Sequence, residues 1–174
     1  MLGAVAATAL VARQLGDTPR ARHSIFVGHV MRRLAAATGH DAGLWYVTGL
    51  VHDLDYFETA EDRSRHGLLA ADWLANELPE PALGAIRAHD HRTGVTSTTP
   101  IACALKLADA LAITMDSVGG DAGNLLGHPD AIGLLTARLA TRPYLVPMMV
   151  DNAAAIGLDL ETLVPLLSDA PPSS

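Results

Sequence analysis

Apolar residues along this chain recur at helical spacing, and strictly alternating stretches are scarce. From about Thr18 to Thr38 the pattern runs through His23, Val27, Val30, Met31 and Leu34, with Thr18-Pro19 as a start signal and Gly39 as a stop. Asp41 is placed to cap a second helix that reaches His52-Asp53. Leu54–Ser64 carries mixed charges without an apolar period and reads as a loop. A helix over about Arg65–Leu78 follows, and Pro79-Glu80-Pro81 breaks it before another that ends near His89. Arg92–Thr99, with Gly94 and four threonines, reads as a second loop. Pro100 suits the first turn of a strongly apolar helix, Ile101–Met115, and Gly119-Gly120 interrupts the pattern. Shorter helices are expected around Asp130–Thr141, Pro143–Ala155 and Leu158–Leu167, and an amphipathic one over the first fifteen residues. The prediction is an all-α fold, a single compact helical bundle over residues 1–168 with a flexible tail at 169–174.

Composition narrows the function classes. A chain of 174 residues with 49 % hydrophobic and 18 % charged residues has enough apolar material for one substantial core. A formal charge of −7 argues against a broad basic surface for polynucleotides or anionic membranes, though not against a small phosphorylated ligand, because bound cations invert the local potential. Cys103 is the only cysteine, so no internal disulfide forms, in keeping with a cytoplasmic location and a core thiol. Arg13 ends the first apolar stretch too early for a membrane span. Leu145, Val146, Met148 and Met149 either cover the core or form a homodimer face, and core packing is the expectation.

The candidate chemistry lies in His23, His52-Asp53, His66, His89 and Asp109, most of them near the end of an apolar helical stretch. Imidazoles and carboxylates are the ligands that divalent zinc, iron, manganese or nickel prefer. Asp109 carries the clearest argument, since its helix is apolar on nearly every face and a buried carboxylate there needs a cation or several donors. Lys106, one turn earlier and the only lysine, is the simpler partner for it. Adjacent residues on a helix project about 100° apart, so His52 can bind one ion while Asp53 bridges to a second. His66 opens a stripe through Ala70, Trp73 and Glu77 that should face inward. Taken singly, His66 and His89 are more often core or surface histidines than ligands; together they supply what a second ion needs beyond Asp53. Gly49, one turn before this pair, leaves room for a neighbouring helix or an ion. Asp55 and Glu58 are either orienting groups or solvated loop residues.

The order His, His-Asp, Asp in a helical chain resembles the HD superfamily of metal-dependent phosphohydrolases. The likeness rests on Arg22-His23-Ser24 with Val27, Gly49-Leu50-Val51-His52-Asp53 and Leu107-Ala108-Asp109-Ala110-Leu111. Val51-His52-Asp53-Leu54-Asp55-Tyr56, His66 and the segment 86–95 further resemble a bacterial subgroup of predicted HD hydrolases. The resemblance covers about Arg20–Met115 and implies a first ion on His23, His52, Asp53 and Asp109. It implies a second on His66 and His89, with Asp53 shared. The ions would be divalent Fe, Mn, Ni, Zn or Mg, and a metal-activated water would attack a small phosphorylated, nucleotide-like substrate as a phosphomonoesterase, phosphodiesterase or anhydride hydrolase. Lys106, Arg92 or Arg87 would hold a non-reacting phosphate, Lys106 would also assist catalysis, and His91 would protonate the leaving group. The chain lacks the His-His pair and Gly-Tyr-Pro motif of the HD-GYP phosphodiesterases, which argues against cyclic dinucleotides. Two alternatives stay open: an HD-fold di-iron oxygenase with the same six ligands, and a non-catalytic, metal-bearing nucleotide-binding module.

Overall fold

The computed structural model describes residues 1–119 and 122–167, and the expected tail at 169–174 lies outside them. The first helix, α1 (Ala4–Leu15), buries Ala7, Val11 and Leu15 along one stripe. Helix α2 (Pro19–Thr38) starts where Thr18 Oγ1 accepts the Ala21 N–H at 3.3 Å and ends at Gly39, whose φ of 74° is the left-handed conformation that glycine adopts without strain. Asp41 caps α3 (Ala42–Val51) by accepting the N–H groups of Gly43 and Leu44, each at 2.9 Å. Short α4 (Leu68–Trp73), α5 (Glu80–Ala88) and the long α6 (Pro100–Val118) follow. Four further helices follow among the described residues: α7 (Ala122–Leu126), α8 (Ala131–Arg138), α9 (Leu145–Ala155) and α10 (Leu160–Leu167). There is no strand among the described residues, and none of their helices is long and apolar enough to cross a membrane.

Helix α6 is the axis of the molecule. Its residues from Ile101 to Ala112 are buried except Lys106 and Asp109, and it packs against α2, α3, α5 and α9. One apolar cluster runs from Ala7 to Leu167 and includes Leu145, Val146 and Met149, so those three C-terminal residues pack on the core. Cys103 is buried and free.

The most extensive helix pair is α2 with α3, and glycine makes its closeness possible. A Cβ on Gly49 would stand 2.8 Å from Gly28 Cα and 2.9 Å from Gly28 N. Gly49 therefore admits a helix and not an ion, and the approach brings His23 on α2 beside His52 at the end of α3.

The stretch 65–78 departs from the predicted single helix. Arg63–Arg65 forms a 3₁₀ turn, His66 is extended, and Gly67 takes φ 83° before α4 begins. The physical reason is Asp55, whose Oδ2 accepts the N–H groups of Gly67 (2.7 Å) and Ala70 (3.0 Å) and so starts the helix later. His66 faces inward because of this turn and not through a helical stripe, and Trp73, assigned to that stripe, is exposed. Helix α7 has no counterpart in the predicted pattern.

The glycine contact yields a paired test. Gly49→Ala should destabilise the protein by about 1–3 kcal/mol, because backbone atoms of α2 have to move. Gly84→Ala on α5, where a Cβ meets nothing within 4 Å, should stabilise it by about 0.5–1 kcal/mol through helix propensity. Thermal melts of the two variants against the parent would show opposite signs.

Candidate metal centre

Five segments converge on one point. His23 comes from the second turn of α2, and His52 and Asp53 from the end of α3. His66 comes from the turn before α4, His89 from the end of α5, and Asp109 from the middle of α6. All but Asp109 are buried, and its side chain keeps 19 % of its surface at the floor of a cleft of about 470 Å³.

Three of the four imidazoles have a fixed tautomer. His52 Nδ1 lies 2.8 Å from Gly49 O and His89 Nδ1 lies 2.7 Å from Ile86 O. A carbonyl oxygen only accepts, so each Nδ1 carries the proton and each Nε2 presents its lone pair. His66 Nδ1 points at Asp55 Oδ1 at 2.8 Å and is fixed by the same logic. Asp55, buried and bonded to two backbone N–H groups, is thus an orienting group and not a solvated loop residue.

At the Nε2 side the imidazoles have no adequate partner among the described residues. His23 Nε2 and His52 Nε2 are buried without a hydrogen bond; His23 Nε2 is 3.0 Å from Asp109 Oδ1 but out of line for one. His66 Nε2 and His89 Nε2 face each other at 3.3 Å. Two imidazole lone pairs at that separation repel unless a proton or a cation lies with them. The geometry of the donors therefore fits a metal, and imidazole with carboxylate suits divalent transition ions.

Asp53 divides its two oxygens between the two histidine pairs. Oδ2 lies 3.7 Å from His23 Nε2 and 3.5 Å from His52 Nε2, while Oδ1 lies 2.9 Å from His66 Nε2 and 3.6 Å from His89 Nε2. Two groups in the cluster bring their ligand atoms within 4.8 Å of one another: His23, His52 and Asp109, and His52, Asp53 and His89. Burial pushes the Asp53 carboxyl up, but His52, His66, His89 and Arg20 outweigh it and hold it well below the usual carboxylate range. Burial likewise pushes Asp109 up, and His23 and His52 pull it far down. For His66, burial acts to lower the pKa, yet Asp53 and Asp55 raise it to about 9.

The cleft also holds residues that sequence reasoning passed over. Arg20 Nη1 donates to Asp53 Oδ2 at 2.8 Å, and its guanidinium packs on the Tyr56 ring 4.0 Å from the centroid. Arg63 packs on the same ring at 4.1 Å and donates to Tyr56 O. Arg20 had a readable signal, standing one helical turn before His23 on the same face; Arg63 had none.

Of the groups expected around a substrate, His91 and Arg92 line the cleft. Arg92 is already engaged, its guanidinium paired with both Asp90 oxygens. Arg87 and Lys106 do not line it. Arg87 Nη1 pairs with Glu80 at 2.6 Å, and Lys106 Nζ donates to Ser97 O at 3.0 Å instead of pairing with Asp109. Both cations satisfy their charge at the nearest polar group on their own side of the helix, which is why spacing along the sequence misplaced them.

Comparison with known proteins gives one result. The model of the HD domain family matches residues 20–114, more than half of the chain, and those residues include all five segments above. No curated protein and no solved structure matches the chain significantly.

The orienting role of Asp55 and the proton on His66 can both be read by calorimetry. Asp55→Asn places an amide against backbone N–H donors and loosens the His66 ring, so manganese affinity should fall about 10–100-fold. In the parent, His66 holds its proton below about pH 9, and an incoming cation has to displace it. Manganese affinity should therefore rise from pH 6 towards pH 9, with proton release seen at pH 7.5 as a dependence of the binding heat on buffer.

Proposed function

Because this chain belongs to the HD-domain family, we propose that it is a metal-dependent phosphohydrolase acting on a small phosphorylated, nucleotide-like substrate. HD domains are typically enzymes of that kind. The observation that carries the reading is the division of Asp53 between two pairs of imidazole nitrogens, in a cluster where two buried Nε2 atoms lack a partner. In this reading His23, His52, Asp53 and Asp109 hold one divalent ion. His66 and His89 hold a second, and Asp53 is common to both.

When bound, such ions supply a water made nucleophilic near neutral pH and neutralise charge on the phosphoryl oxygens. The chain's own residues do the rest. Arg20 is tethered by Asp53 and borders the cleft, so its remaining N–H groups meet a non-reacting phosphoryl oxygen. Arg63 has no carboxylate partner among the described residues and lines the same cleft, which makes its charge available to an anion. His91, largely exposed at the lip, protonates the leaving group. Arg87 and Lys106 have no part in this scheme.

Metal content by plasma mass spectrometry, on protein purified without chelators, tests the centre first. Two ions per chain are expected, falling on His66→Gln and lost on Asp53→Ala together with turnover. Phosphate release with manganese or nickel under nitrogen is the expected activity. Oxygen consumption that depends on ferrous iron, without phosphate release, would transfer the site to the oxygenases. A protein that takes up no metal on reconstitution would overturn both readings and leave the binding module.

A further inference from the structure

The cleft does not end at the histidine cluster. It continues into a second lobe of about 560 Å³, which shares Arg20, Tyr56, Ile113 and Tyr144 with the first and borders His23. The walls change character there. Few large apolar side chains are exposed among the described residues, yet two of them, Phe57 (48 %) and Tyr144 (49 %), line this one lobe. Single exposed apolar residues are ordinary on a protein surface. Two aromatic rings lining one concavity beside the histidine cluster are not scattered exposure.

The three rings of the lobe are not equally available. Tyr56 already carries two guanidiniums within 4.1 Å of its centroid, and Phe57 is set edge-on to it at 5.5 Å and 86°. The ring nearest Tyr144 is His91, 6.4 Å away and tilted by 49°, which is too distant to cover it. Tyr144 is half exposed and lines both lobes together with Ile113, and it stands at the start of α9, which packs on α6. It also lies outside residues 20–114, in the part of the chain that the family model does not describe.

We infer that this second lobe is a subsite for a planar aromatic ring, with Tyr144 as its stacking platform, so that the substrate is a phosphoester of a ring-bearing compound. Polyol phosphates and inorganic polyphosphate, which carry no ring, would leave the lobe empty. The inference rests on the hydrolase reading for the phosphoryl end alone; the ring subsite is a matter of binding and can be tested without turnover.

Adenosine 5′-monophosphate and ribose 5-phosphate share the ester and the sugar and differ by the ring. Equilibrium dialysis of each against the metal-free full chain, where the hydrolase reading expects no turnover, should show the nucleotide bound about tenfold more tightly or better, the scale of one base stacked on one aromatic side chain. Tyr144→Phe should keep that preference and Tyr144→Ala should lose it, with thermal melts confirming that both variants fold. Phosphate release measured after manganese is added to the same samples separates the two claims. A ring preference that depends on Tyr144, without phosphate release, supports the subsite and counts against the hydrolase. Phosphate release with equal KM for the two compounds leaves the hydrolase standing and overturns the subsite. Equal binding, no binding of either compound, or a preference that survives Tyr144→Ala overturns it as well.

Discussion

Asp53 is a carboxylate with 1 % of its side chain exposed, and the arrangement of the surrounding helices follows from what it takes to keep it ionised. An ionised carboxylate out of water is tolerated only when several donors or cations face it. Arg20 supplies one at 2.8 Å, and four imidazoles stand within 3.7 Å of its two oxygens. Three of those imidazoles spend their Nδ1 proton elsewhere, so without a cation they bring lone pairs to a negative group. Either an extra proton enters the cluster, as the raised pKa of His66 indicates, or a metal ion does. That alternative couples metal affinity, pH and the integrity of the helix ends.

The helix ends repeat one device. His52 follows α3 and His89 follows α5, and in both cases Nδ1 donates to the carbonyl three residues back, Gly49 O and Ile86 O. The last carbonyls of a helix have no intrahelical partner, so the ring satisfies one of them. The same bond fixes the tautomer that leaves Nε2 free. Capping and ring orientation are one interaction, which explains why His52 and His89 sit where apolar helices stop. The partial negative charge at a helix C-terminus adds a further preference for a cation nearby. His66, which precedes its helix, cannot use this device, and Asp55 takes the place of the carbonyl while also holding the first N–H groups of α4.

This division explains what could be read from the sequence. Polar residues in or at the ends of apolar helical runs are visible as such, so the all-α fold and the six clustered side chains were legible before any coordinates. The inward turn of His66 was anticipated for a reason that does not hold, because the stop at Gly67 depends on a carboxylate eleven residues before His66. Arg87 and Lys106 were misplaced because charge on a long side chain is settled by the nearest partner in space. Glu80 lies two turns before Arg87 on the same helix, and Ser97 lies in the segment that leads into α6. Arg63 and Tyr144 reach the cleft from a turn and from a helix far along the chain, and neither approach leaves a local signature.

The C-terminal third forms one wall of the cleft apart from the buried histidine cluster. Helix α9 is fastened to α6 by fully buried residues, with Leu145 and Met149 inside the core and Thr114 Oγ1 3.6 Å from Met149 Sδ. The opposite requirement applies to Tyr144 and Met148, which leave the same segment towards the cleft. Because α6 also carries Asp109, the wall and the floor of the cleft are held by one packed interface. Interiors at crystal-like density transmit displacement and do not absorb it, so the distance between the wall and the histidine cluster is set by the core and not by the loops. Side chains on the outer wall can then change without disturbing the buried carboxylate. The cluster itself tolerates no such freedom, since each of its members is also a cap or a counter-charge for another.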